Sequence, residues 1–238
     1  MQESTTISGP LLVSFSGVDG AGKSTQIAAL KTRLEQEGLR VRITTFWDNI
    51  ACLTGVREGA GHHVFKGEKG VGSPEKPVNR RDKNVQSWPM SCVRLCLYLL
   101  DAFATRAAVR QARQSTQEDV VIFDRYIYDE LANLNLRNPL IRLYVRILMK
   151  LVPRPEVSYL LDANPVEARL RKPEYPLDFI YQNRQAYRSL AALIGGIAIV
   201  APGPLEAVRR EVLRHAFTAL ALFRPVPESS GHVLQRAS

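Results

Sequence analysis

A chain of 238 residues, 45% hydrophobic and 23% charged, has the material for one large α/β domain or at most two small ones. It holds no repeat, which argues against a solenoid, and no apolar run long enough for a helix to cross a bilayer. The formal net charge of +9 points to an anionic partner: nucleotide, nucleic acid or membrane surface.

The start, Met1 to Thr6, has neither a basic nor an apolar segment, so it does not read as a secretory signal. Cys52, Cys92 and Cys96 form no C-x-x-C pair and read as reduced thiols of a cytoplasmic protein. Cys92 and Cys96 lie one helical turn apart, where buried packing is expected over metal binding.

The first element sets the rest. Leu11 to Ser16 reads as a strand, and Gly17-Val18-Asp19-Gly20-Ala21-Gly22-Lys23-Ser24 follows it as G-x-x-x-x-G-K-S before an amphipathic segment. Gly17, Gly20 and Gly22 let backbone N–H groups turn inward around a polyphosphate, with Ala21 and Thr25 in the same cradle. The helix that follows adds the positive end of its dipole. Lys23 is placed to neutralise the β- and γ-phosphates of ATP, and the Ser24 hydroxyl to sit on Mg²⁺.

Ile27, Leu30 and Leu34 recur at helical spacing up to a stop at Gly38, and Val41 to Phe46 reads as a second strand. Ile50 to Val56 reads as a short helix. From Gly59 to Ser87 the pattern breaks into glycine, proline and charge. This stretch is either a solvated insertion or a cationic flap over a phosphorylated ligand.

Ser87-Trp88-Pro89 starts a helix running to about Ala112, apolar around much of its circumference and so expected to be buried against the sheet. Arg94, Asp101 and Arg106 interrupt it and must be paired or face a cleft; Arg106 is the stronger site candidate. Asp119 to Phe123 is a strand of the parallel kind that delivers Asp124-Arg125-Tyr126 at its C-terminal end. Ligands of open α/β sheets bind at those ends, where Asp124 suits Mg²⁺ and Arg125 suits phosphate. A helix cap is the alternative, and it explains Asp124 only.

Two helices are expected over Ile127 to Leu136 and Leu140 to Leu151, stopped by Pro153 and Pro155. Val157 to Asp162 is a fourth strand. Asn164-Pro165 caps a helix ending at Arg169, Arg171 and Lys172, which reads as a lid over residues 169–178 or as basic residues complementing a helix dipole. Leu177 to Ile194 returns, carrying Arg184 and Tyr187. Ile197 to Val200 is a fifth strand, Leu205 to Phe223 closes the domain, and residues 224–238 read as a flexible tail.

Ser16 through Gln26, Asp124-Arg125-Tyr126, Tyr159-Leu160-Leu161-Asp162 ahead of Pro165, and Phe179 through Tyr187 together resemble thymidylate kinase. The likeness covers about Leu11 to Phe46 and Ala102 to Leu222. It implies a P-loop NTPase fold, a doubly wound parallel five-strand sheet in the order 2-3-1-4-5, with helices on both faces and a short lid. The domain would span residues 1–223.

The resemblance further implies transfer of the ATP γ-phosphoryl group to a nucleoside monophosphate, dTMP first. By the same resemblance Lys23 and Ser24 serve ATP and Mg²⁺, and Asp19 approaches the acceptor sugar. Asp124 positions Mg²⁺ or its waters, Arg125 clamps phosphates and Arg106 meets the acceptor base. Gly20 stands where some members carry a catalytic arginine, which gives more weight to Arg169 and Arg171 in the lid. A homodimer is also implied, although no residue pattern points to one.

Two positions depart from the pattern. Thr45-Phe46-Trp47-Asp48 lacks the arginine that meets the acceptor phosphate, for which Arg57 or Arg80, Arg81 and Lys83 are the substitutes at hand. Ala102 replaces the aromatic that stacks on thymine, with Phe103 and Tyr98 close by. A kinase for another small acceptor, or a P-loop ATP-binding regulator without acceptor phosphorylation, remain alternatives. A nucleic acid partner is not expected, because the basic residues are interleaved with acids and match no recognised motif.

Overall fold

The computed structural model describes residues 9–51 and 88–223. Cys52, the basic stretch of 59–87 and the tail of 224–238 lie outside the described residues, as does most of the helix expected to end at Val56.

Strand β1 (Leu11–Ser16) is wholly buried and alternates between two cores. Leu11, Val13 and Phe15 join one apolar cluster and Leu12 the other, the period-two pattern of a strand covered on both faces. Strands β2 (Val41–Thr45), β3 (Val120–Asp124), β4 (Val157–Leu161) and β5 (Ala198–Val200) complete a five-stranded sheet in the order β2-β3-β1-β4-β5. Every pairing is parallel, as the order expected from the resemblance requires. With β3 on one side of β1 and β4 on the other, the chain reverses direction across the sheet at β1, which opens a crevice at its C-terminal end.

Helices α1 (Lys23–Gln36) and α8 (Leu205–Phe223) cover one face, packing Ile27, Leu30, Leu34, Val212 and Ala216 on the odd residues of β1. The other face carries α3 (Trp88–Gln114), α4 (Ile127–Leu131), α5 (Pro139–Leu151) and α7 (Leu177–Ile194), through Val109, Ile127, Leu148 and Leu190 among others. Helix α2 (Phe46–Asn49) is one turn after β2, and α6 (Pro165–Arg171) follows β4. Among the described residues no helix is long and apolar enough to cross a membrane.

Four expectations are corrected. Phe46 belongs to a helical turn rather than to β2, because the Asn49 side chain accepts from Thr45 N at 3.0 Å and closes the turn there. The helix after β3 ends at Leu131, not Leu136. Beyond it the Asn133 amide donates to Asp129 O, Asn135 accepts from Arg137 N and Asn138 caps α5, so asparagine side chains compete with the helical ladder.

The third correction is that α3 is buried on one side only. Tyr98, Ala102, Val109 and Ala112 face the core, while Val93, Leu99, Leu100 and Phe103 are exposed, as are Leu140, Leu143 and Ile147 on the neighbouring α5. The two helices touch, with the Tyr144 hydroxyl donating to Leu95 O at 2.5 Å. On the same outer side, Cys92 and Cys96 are free and exposed rather than packed.

Candidate active site

The phosphate loop leaves β1 through Gly17, whose φ of 141° and position leave no room for a side chain: a Cβ would fall 2.4 Å from Leu161 O. Gly22 closes the loop with φ 88° as the N-cap of α1. Ala21 is half-buried in the loop, and Ser24 and Thr25 are exposed in the first turn of α1.

Lys23 turns back from that turn into the loop. Its Nζ donates to Gly17 O at 2.7 Å and to Val18 O at 3.0 Å, and the residue is 7% exposed. Burial, seconded by the charge of Arg125, pulls its pKa from 10.5 down to about 8. An ammonium in such a place gives its proton up readily unless an anion arrives to hold it.

Asp124 ends β3 and is half-buried, and Arg125 follows with φ 71°. It is the one described non-glycine residue with positive φ, a strained conformation held by its N–H on Phe15 O at 3.0 Å. Its guanidinium spans two carboxylates, donating from Nη2 to Asp19 at 2.5 Å and from Nη1 to Asp129 at 3.1 Å. Burial opposes the Arg125 charge, but Asp129 and Asp19 outweigh it and raise its pKa.

Asp19 gathers cations on its other side as well. Lys23 and Lys172 each lie 4.0 Å from its Oδ1. Burial by itself would raise the carboxyl, yet Arg125, Lys23 and Lys172 together hold it below its ordinary value.

The basic end of α6 reaches the same loop. Arg171 at the end of α6 donates to Gly20 O at 3.1 Å and to Glu167 at 2.9 Å. Arg169, two residues earlier, is half-buried. The structure therefore brings together Gly17, Asp19, Gly20, Lys23, Arg125 and Arg171, drawn from four segments.

Arg106 and Phe103 are elsewhere. Arg106 donates to Leu151 O at 2.9 Å, on the last carbonyl of α5, and Phe103 is 52% exposed on the outer face of α3. Tyr98 is buried with its hydroxyl bonded to Glu130 and Asn133, and Ala102 is fully buried. A cleft of about 1000 Å³ opens nearby between the start of α3, the 132–141 stretch and α7, lined by Arg94, Asn133, Arg137, Phe179, Gln182 and Asn183 among others.

Two features escape a reading of the motifs. Asp162 takes a two-pronged bond from Arg184, at 2.6 and 2.7 Å, which ties α7 to the end of β4. Asp129, 4% exposed, accepts from Ser16, Arg125 and Tyr187. Its place as the third residue of α4 after the Tyr126 N-cap, a capping-box pattern, is the local signal that could mark it.

No protein-family model matches the chain. It is 27% identical over 210 residues to a probable thymidylate kinase of Archaeoglobus fulgidus, covering 85% of this chain and 92% of the relative. It is 28% identical over 193 residues to a thymidylate kinase of Bifidobacterium longum strain DJO10A, covering 76% and 84%. The thymidylate kinase of strain NCC 2705 of that species is 29% identical over the same length. These likenesses support a divergent, thymidylate kinase-like relationship and the P-loop NTPase fold.

Proposed function

We propose that this protein transfers the γ-phosphoryl group of ATP to the phosphate of a nucleoside monophosphate, with dTMP as the first acceptor to try. The observation that carries the reading is the convergence of Lys23, Arg125 and Lys172 on Asp19, with Arg171 on the adjoining Gly20. One anionic side chain and a loop of glycines hold four cations in place, which is the excess a site needs when two phosphate esters must be brought together.

The chain's own residues divide the task. Lys23 exchanges the Gly17 and Val18 carbonyls for phosphate oxygens, so the donor arrives in a loop already shaped for it. Arg125 presents a rigid, always charged fork that suits a phosphate bidentately. Arg171 and Lys172 come with the lid, and closure over the loop excludes water that would otherwise take the phosphoryl group. The acceptor phosphate is itself the nucleophile, so no side-chain base is required.

Ser24 and Asp124 would hold Mg²⁺. Among the described residues no cluster of three or more His, Cys, Asp or Glu could hold a metal alone, and a hydroxyl with one carboxylate suits an ion that keeps waters and phosphates as its other ligands. When bound, the ion neutralises charge across the phosphates.

The placement of Ala102 and Arg106 favours a second reading for the acceptor: with Ala102 buried and Arg106 spent on Leu151 O, a base other than thymine would be selected. The exposed apolar faces of α3 and α5 support a homodimer within the same proposal. We place the protein in the cytoplasm, where ATP and nucleotides are available. ADP release from Mg·ATP, measured with water alone and then with each common nucleoside monophosphate, tests the function. Stimulation by dTMP supports the first reading and stimulation by another monophosphate the second; no stimulation by any acceptor contradicts both.

A further inference from the structure

Among the buried acids that the proposed reaction does not use, Asp129 is the one bonded to Arg125. Asp129 lies on α4, yet its side-chain partners come from three other segments: Ser16 Oγ of β1 at 2.6 Å, Arg125 Nη1 at 3.1 Å and the Tyr187 hydroxyl of α7 at 2.7 Å. A carboxylate this deep needs its lone pairs filled, and these donors fill them. Capping explains a part of this, since Tyr126 N approaches Asp129 Oδ2 at 3.4 Å, but that contact is long and uses one oxygen.

The two carboxylates on Arg125 are not equivalent. Asp19 is 23% exposed on its side chain and divides itself among Arg125, Lys23 and Lys172. Asp129 is 3% exposed on its side chain and is pinned by two hydroxyls besides the guanidinium. An arriving phosphate carries more charge than one carboxylate and competes for the same donors. Asp19 is therefore the partner that is exchanged, and Asp129 the one that stays.

We propose that Asp129 is the positioning residue for Arg125: it keeps Nη1 fixed while Nη2 passes from Asp19 to a ligand phosphate, and Tyr187 couples the lid-bearing helix α7 to that anchor. The proposal rests on the phosphoryl-transfer reading for its consequence, not for its geometry. Helix α7 is fastened at Arg184 to Asp162 and, one turn on, at Tyr187 to Asp129, so the segment between Asp162 and Arg184 that carries α6 closes from a fixed stem. Release of Asp19 from Arg125 on phosphate binding frees that carboxylate toward the other substrate.

The test uses the full chain with Asp129→Asn, Tyr187→Phe and the double variant. Loss of one charged bond to Arg125 is expected to lower kcat/KM for the acceptor by roughly tenfold to a hundredfold. Tyr187→Phe is expected to lower it less, and the double variant to be no worse than Asp129→Asn, because Tyr187 acts through Asp129. Independent, multiplying losses, or an unchanged kcat/KM in Asp129→Asn, would overturn the proposal.

A second readout does not depend on any acceptor. The Arg125 guanidinium ¹⁵N resonances, assigned by their absence in Arg125→Lys, are expected to be sharp in the unmodified protein and shifted on addition of Mg·ATP. In Asp129→Asn they are expected to broaden before any nucleotide is added. If no monophosphate is phosphorylated, the kinase reading fails and these resonances alone decide: unchanged signals in Asp129→Asn overturn the anchor, broadened ones uphold it. Should Asp129→Asn fail to fold, the same two outcomes are read from Tyr187→Phe.

Discussion

A Cβ on Gly20 would fall 2.3 Å from the carbonyl oxygen of Ala168, so the middle of the phosphate loop rests directly on the backbone of α6. Gly20 also has φ 83°, where a side chain is strained whatever the space. The position where the resemblance places an arginine in some kinases is here closed by the backbone of α6. Gly20→Arg is expected to lose on the order of 2 kcal/mol of stability or more, and to push α6 off the loop. A melting curve and an activity assay read both effects; a variant as stable and as active as the parent contradicts the contact.

With that place closed to a side chain, Arg171 is the arginine of α6 that bonds the loop backbone. It is exposed and its bonds are to Gly20 O and Glu167, so little of the fold depends on it. Arg171→Ala is expected to lower kcat by roughly a hundredfold or more, the effect of removing one preorganised donor from a developing charge. The melting temperature should hardly move. Equal losses in activity and stability would mean that Arg171 is a structural latch.

Lys23 makes a prediction in which stability and function part company. A lysine buried in the loop and held near 8 rather than its ordinary 10.5 costs the folded state about 3 kcal/mol at neutral pH. The unfolded chain binds the extra proton between those two values, so the cost is full below about 8 and fades toward 10.5. Lys23→Met is expected to abolish turnover while raising the unfolding free energy at pH 7 by roughly 1–3 kcal/mol, less where the two carbonyls are left bare. The gain should vanish as pH approaches 10.5. In the unmodified protein, nucleotide affinity should fall as pH rises through about 8. Denaturant unfolding of both proteins across that range checks the sign.

How much of this was legible beforehand divides along a physical line. The phosphate loop and Asp124-Arg125 were legible because each packs its chemistry into a few consecutive residues whose backbone roles are fixed by residue type. The β4–Pro165 junction and α7 were readable for the same reason, through caps and turns. The bond between Asp129 and Tyr187 was not, since 58 residues separate them and no local pattern joins the two. The outer face of α3 was misread because an apolar circumference looks the same whether a helix is buried or half-covered. Arg106 has the sequence context of a base contact, and only the position of Leu151 O shows where its guanidinium goes.

That outer face supports an association prediction. Leu99, Leu100 and Phe103 give α3, and Leu140, Leu143 and Ile147 give α5, an exposed apolar face. If two copies bury it, Leu143→Glu should halve the mass seen by light scattering while leaving the far-UV spectrum unchanged, since the side chain is 53% exposed in the single chain. A parent protein that is already monomeric at high concentration contradicts the dimer.

In the proposed reaction the γ-phosphoryl group moves to a phosphate already carried by the acceptor. Labelling the γ-phosphate of ATP and separating the products after incubation with the protein, Mg²⁺ and a nucleoside monophosphate follows that atom directly. The account requires the label in a nucleoside diphosphate of the acceptor's base. Label found only in inorganic phosphate, or remaining in ATP with every monophosphate offered, would contradict it.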